Sequence, residues 1–210
     1  MARSDADAGG SARSGFKQGA RRAAERLVAP LARTGLTPNG LTVIGFLINV
    51  VAGVVIATGG FVAGGIIMLI GGAFDTLDGA LARVTGRASV FGEFFDSTMD
   101  RFSEAVVFLG VAVSYLRAPA IDITAVVGVA LSFAAMIGSI MVSYARARAE
   151  GLDLDCEVGW LQRPERIVIL GVALLLPAPF LMGALVLLAV LTHVTVAQRI
   201  AHVRGLTVGK

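Results

Sequence analysis

Asp75, Asp78, Asp96 and Asp100 fall within one stretch, FDTLDGALARVTGRASVFGEFFDSTMDR (74–101), of a chain that is 56% hydrophobic. Four carboxylates brought together among apolar helices repel one another, and each costs at least a few kcal/mol to place at membrane depth. A positive partner must join them. Hard divalent cations take oxygen ligands, and two of them about 3.5–4 Å apart form a clamp suited to displacement at phosphorus. The spacing serves that chemistry. On a helix, Asp78, Ala82, Asp75, Gly79 and Arg83 share about 140° of arc, and on the next helix Gly92, Asp96 and Asp100 share about 80°. The short link VTGRAS makes the two helices antiparallel neighbours with facing acids. Gly79 and Ala82 keep the acid face free of bulk, so a large ligand can approach the backbone, and Arg83 suits a phosphate oxygen. A proton relay, or packing against Arg101, is the plainer reading of any one of these acids. Four acids with two glycines and an arginine in fixed order are harder to explain that way.

The elements that must carry these residues are membrane helices. The 210 residues are only 16% charged, with mean hydropathy +0.80, against roughly 25% charged residues in a soluble domain. Apolar runs at 41–58, 61–77, 102–116, 123–143, 167–176 and 180–197 predict six transmembrane helices in an all-α integral membrane protein. The 167–176 run is short, closed by Pro177 and Pro179, and its helix is expected to begin near Arg163 with Pro164 in its first turn. Of the 18 Lys and Arg, only Arg117 falls on the side opposite the acid-rich segment. The positive-inside rule therefore predicts a multi-pass protein of the cell membrane with both termini and the Asp segment facing the cytoplasm. The net charge of +3 is topology, and no nucleic-acid partner is implied. Residues 1–14 are expected to form a disordered tail. Residues 15–36 are expected to form an amphipathic juxtamembrane helix on the membrane surface, with Ala20, Ala24, Leu27 and Leu31 on one face and Lys17, Arg21, Arg22, Glu25, Arg26 and Arg33 on the other. A six-helix domain spans 37–204, and 205–210 are a C-terminal tail. Cys156 is alone, so no intrachain disulfide forms.

The pattern Asp75-x2-Asp78-Gly79-x2-Ala82-Arg83-x8-Gly92-x3-Asp96-x3-Asp100 matches the signature of the CDP-alcohol phosphotransferases without a gap or substitution, and the chain resembles that family from about residue 16 to 204. The resemblance implies a six-helix membrane enzyme, usually a homodimer, that transfers the phosphoalcohol part of a CDP-alcohol to a second alcohol and releases CMP. It further implies two Mg²⁺ ions, with Mn²⁺ as a substitute. Asp75, Asp78 and Asp96 would hold the first ion, and Asp75, Asp96 and Asp100 the second. Asp100 would also be the catalytic base, a role that a free oxygen at the edge of the metal pair supports. Asn39, Gly40, Leu41, Thr42, Gly79, Ala82, Arg83 and Ser89 would bind the CDP-alcohol; Ser89 also reads as a plain turn residue.

The acceptor is read from SYARARAEG (143–151), QRPERIVIL (162–170) and VAQRIAHV (196–203). Arg146, Arg163, Arg166 and Arg199 stand at cytoplasmic ends of predicted helices, and clustered guanidinium groups suit a phosphomonoester. Arginines at span ends also set topology and snorkel. These stretches resemble those of the phosphatidylinositol-phosphate synthases, which use CDP-diacylglycerol and inositol 1-phosphate. Those enzymes have Lys where this chain has Arg146. Glycerol 3-phosphate, giving phosphatidylglycerol phosphate, is the alternative acceptor. An ion-coupled membrane transporter is the alternative of a different class, but the far-side loops carry only Arg117 and Asp122 as charges and offer it no second polar vestibule.

Overall fold

The computed structural model describes residues 25–117 and 122–208. The expected tail at 1–14 and the first part of the expected 15–36 helix lie outside the described residues. Residues 25–28 are helical, and a 3-10 turn follows at Leu31–Thr34. Six α-helices come next: α1 Pro38–Ala57, α2 Phe61–Thr85, α3 Val90–Leu116, α4 Ile123–Glu150, α5 Arg163–Leu175 and α6 Ala178–Thr207.

The described part of the juxtamembrane segment is broken where one continuous helix was expected. Pro30 stands in the turn after residues 25–28; it has no N–H to donate and its ring crowds the preceding turn. Val28 is fully buried while Leu27 is 67% exposed, so the sealed position is the one beside the expected stripe.

Two helix starts are set by hydroxyl residues. Thr37 Oγ1 accepts from the Gly40 amide at 3.1 Å, with Pro38 opening α1. Ser89 Oγ accepts from the Gly92 amide at 3.0 Å, capping α3. Between α2 and α3 the chain reverses at Gly86, φ +64°, where the Arg87 amide donates to the Ala82 carbonyl at 2.9 Å. A left-handed residue there closes the helix end as a glycine cap does. Ser89→Ala should therefore cost about 1 kcal/mol of stability, read as a lower unfolding temperature in detergent with the helical content unchanged.

All six helices are longer than the apolar runs that announced them, because polar and charged ends continue the backbone hydrogen bonding past the apolar stretch. α6 runs to Thr207, into the segment expected as a tail. Among the described residues four helices, α1, α2, α4 and α6, are both long and apolar enough to cross a membrane. α3 has the length, but Asp100, Arg101 and Glu104 lie inside it. α5, with 13 residues, rises only about 20 Å.

The chain divides into two compact units, one running to Gly45 and including Ala73–Asp100, the other comprising Phe46–Gly72 and the residues from Arg101 onward. In the first, Val28, Leu41, Ala80 and Leu81 form a small sealed core. In the second, Ala52, Ile56, Phe108, Val111, Leu174, Leu185 and Leu188 belong to one larger core, and α4 and α5 both pack on α6. Gly53 and Gly110 meet backbone to backbone: a Cβ on Gly110 would strike the Gly53 carbonyl, the close approach that small residues give membrane helices. Large apolar side chains face outward in helical register, such as Leu47, Val51 and Val54, or Val62, Ile66 and Ile70. That surface suits lipid and marks a membrane protein.

Candidate active site

A cavity of about 450 Å³ opens in the first unit. The start of α1 supplies Pro38, Asn39 and Thr42; the last turns of α2 supply Asp78, Gly79, Ala82 and Arg83; the link and the start of α3 supply Arg87, Ser89, Gly92, Glu93 and Asp96. Two helices thus point their N-termini at it, and the positive end of the helix dipole favours phosphate.

Asp78 is nearly sealed, 4% exposed. The Thr42 hydroxyl donates to its Oδ2 at 2.6 Å, and the Asp96 carboxyl is within hydrogen-bond reach, with the Asp75 charge also acting on it. Adjoining carboxylates of this kind are hard oxygen donors, and the charge they share is what a divalent cation neutralises. Asp78 and Asp96 are thus the kind of donor that the expected metal takes. Asp78 and Asp96 line the cavity, whereas Asp75 and Asp100 do not. Among the described residues no three acidic, His or Cys side chains are arranged to cage an ion.

Of the residues expected to bind the CDP-alcohol, Asn39, Thr42, Gly79, Ala82, Arg83 and Ser89 line this cavity, while Gly40 and Leu41 do not. Leu41 is 1% exposed and packs into the core with Val28, Ala80 and Leu81. Arg83 Nε lies 3.6 Å from Glu25 Oε1, so the juxtamembrane segment reaches the rim. Ser89, expected either to contact the CDP-alcohol or to be a plain turn residue, caps α3 and lines the cavity.

The four arginines expected to hold the acceptor phosphate belong to the second unit. Arg166 is 2% exposed and gives Nε and Nη2 to the two oxygens of Glu104 at 2.7 and 2.9 Å. Arg199 is 3% exposed; its Nε donates to the Val158 carbonyl at 2.9 Å, and Nη1 donates to the Val142 carbonyl. Arg146, 41% exposed, pairs with Glu150 at 2.7 Å and Glu157 at 3.0 Å. The charges of Arg146 and Arg166 both act on Arg199, so these three are neighbours. Arg163 opens α5.

Residues 35–202 match the family model described as CDP-alcohol phosphatidyltransferase. The chain belongs to this family. Among relatives of the CDP-alcohol phosphatidyltransferases, the archaetidylinositol phosphate synthase of Pyrococcus horikoshii is 41% identical over 84% of this chain and 88% of its own. The crystal structure of Mycobacterium tuberculosis phosphatidylinositol phosphate synthase with CDP-DAG bound matches with a TM-score of 0.78 at 31% identity, covering 87% of this chain and 94% of that one. The same enzyme in complex with manganese and citrate also matches at 0.78, with 30% identity over 86% and 88%. A CDP-alcohol phosphatidyltransferase is an enzyme, and the transporter reading gives way.

Sequence reasoning missed Arg87, Glu93 and Glu104. Glu93 precedes Asp96 by three residues and Glu104 follows Asp100 by four, so extending the helical period of the acids would have found both. Arg87 had only its place in the short link to announce it. Gly79 yields a sharper expectation about this family's donor site. A Cβ there would meet only Arg83 Nη1, at an ordinary 3.5 Å, so Gly79→Ala should fold normally. Its methyl would stand in the cavity, and KM for the CDP-lipid should rise severalfold with the acceptor KM unchanged.

Proposed function

We propose that this transferase moves the phosphatidyl group of CDP-diacylglycerol to inositol 1-phosphate, forming phosphatidylinositol phosphate and releasing CMP. The observation that carries the acceptor is the agreement of relatives with different lipids: the archaetidyl and the phosphatidyl synthases are both named for inositol phosphate. The buried guanidinium groups of Arg166 and Arg199 supply the chemistry for a phosphomonoester.

The cavity of the first unit takes the CDP part. Arg83 and Arg87 and the amides at the starts of α1 and α3 bind phosphate oxygens, and Gly79 and Ala82 let the ligand lie against α2. Asp75, Asp78, Asp96 and Asp100 would hold two divalent ions, Mg²⁺ or Mn²⁺. When bound, such ions neutralise charge on the diphosphate and ease deprotonation of a nearby hydroxyl. Asp100 accepts the acceptor hydroxyl proton. The acceptor oxygen bonds to the phosphorus that carries the lipid as the bond to CMP breaks, so no covalent enzyme intermediate is required. Arg146, Arg163, Arg166 and Arg199 bind the acceptor phosphate.

In this reading all six helices lie in the membrane, both termini and the site face the cytoplasm, and the protein works as a homodimer. The uneven distribution of basic residues supports the orientation. The test is CMP release by purified protein with CDP-diacylglycerol, Mg²⁺ and, separately, inositol 1-phosphate, free inositol, glycerol 3-phosphate and serine. Inositol 1-phosphate is expected to have the highest kcat/KM by at least about tenfold, equivalent to 1.4 kcal/mol of discrimination. A higher value for glycerol 3-phosphate would move the assignment to that acceptor.

A further inference from the structure

The Arg166 guanidinium is almost fully buried, yet only part of its donor capacity is used. Nε and one N–H of Nη2 go side-on to Glu104. A guanidinium has five N–H groups, and among the described residues no other acceptor takes a hydrogen bond from Arg166. Both N–H groups of Nη1 and the second of Nη2 remain, on the edge facing away from Glu104. No Arg166 nitrogen is among the buried polar atoms left without a partner, so these donors stay open to an incoming acceptor, and they match the oxygens of a phosphomonoester. Glu104 is itself 9% exposed, and its helix position follows Asp100 by one turn.

We infer that Glu104 is a positioning residue for the acceptor: it clamps the Nε edge of Arg166 so that the opposite edge is presented to the acceptor's phosphate. The inference rests on the reading of Arg166 as a phosphate ligand. A planar fork needs one edge fixed before the other can be aimed, and an arginine rotating about its last bonds would lose that orientation. Glu104 also balances the charge of Arg166, so the cation stays buried before acceptor binds.

Glu104→Gln keeps the shape and one acceptor oxygen but removes the charge and the two-oxygen clamp. Its KM for inositol 1-phosphate should rise about tenfold, the loss of one charge-assisted contact, while KM for CDP-diacylglycerol stays within about twofold. Glu104→Asp keeps the charge on a shorter arm and should recover part of the loss. A merely structural salt bridge predicts something else: a lower unfolding temperature with both KM values moved together, or kcat reduced with neither KM moved. Either result overturns the inference. If Glu104→Gln does not fold, Glu104→Asp decides, because an unchanged acceptor KM in that variant also overturns it. Arg166→Lys is measured alongside. If it leaves the acceptor KM unchanged, the phosphate-binding reading of Arg166 itself fails; if it raises that KM while the Glu104 variants do not, the reading stands and only the positioning role is lost.

Discussion

Asp96→Asn is expected to lower CMP release by several orders of magnitude while the protein still extracts from membranes as a folded species. The amide has the size of the carboxyl and can still meet Asp78, which lies within hydrogen-bond reach, so packing in the cavity wall should survive. What is lost is the negative charge. A neutral amide is a poor ligand for a hard divalent ion, and Asp96 is assigned to both ions. Asp75→Asn should behave in the same way. Asp100→Asn should differ, impairing the chemical step more than CDP-lipid binding, because that acid is assigned to the acceptor's proton. Single-turnover rates measured beside CDP-lipid binding separate these effects, and chelation followed by Mg²⁺ addition should abolish and restore the wild-type rate. Near-normal turnover by Asp96→Asn would end the two-metal reading, and equal loss of binding and chemistry in Asp100→Asn would make that residue chiefly a ligand.

The next largest effect is expected at Arg199. Its hydrogen bonds go to two backbone carbonyls, which are neutral, and among the described residues no carboxylate forms an ion pair with it. A buried cation so placed gains most from a phosphate. Arg199→Ala should raise KM for inositol 1-phosphate by about tenfold to over a hundredfold, from a lost contact worth roughly 1.5–3 kcal/mol, with little change for CDP-diacylglycerol. Arg199→Lys should fall between, keeping the charge without the fork. Arg146→Ala should matter less, since Arg146 is 41% exposed and already shared by Glu150 and Glu157. Added salt should weaken the acceptor's hold less than it would at exposed charges, because screening works poorly in a buried site. If free inositol serves as well as its phosphate, or Arg199→Ala leaves KM unchanged, the arginines are structural and topological residues alone.

The acid motif was readable because its period is helical and its chemistry is costly. Asp78 and Asp96 needed only the short link between two helices to be placed opposite one another, and both line the cavity. The contribution of Asn39 and Thr42 was legible only through the family resemblance, since nothing in a run of small residues before an apolar span says which side chains turn inward. Thr42 turns in and Leu41 turns to the core because consecutive helix positions are about 100° apart. The lengths of the helices were under-read for a general reason: hydropathy reports the apolar stretch, whereas the backbone continues until a cap or a Pro stops it. The arginines were found by type and position, but their partners could not be, because Arg166 and Glu104 are separated by 62 residues. Pairing across that separation is a property of packing, and a pattern along one chain does not carry it.

The carboxylates already attached to these arginines bear on how the enzyme lets go. The phosphomonoester that anchors the acceptor is not consumed in the proposed reaction; it persists in the product, which now also carries a lipid. Groups that hold it equally before and after transfer do nothing to favour release. A site made of unopposed cations would retain its product. Here Glu104 on Arg166, and Glu150 and Glu157 on the half-exposed Arg146, remain as counter-ions when the phosphate departs, so the buried guanidinium of Arg166 is never left without an opposite charge. In the proposed reaction turnover would thereby be protected at some cost in affinity, with Arg199 left as the group that holds the product most tightly.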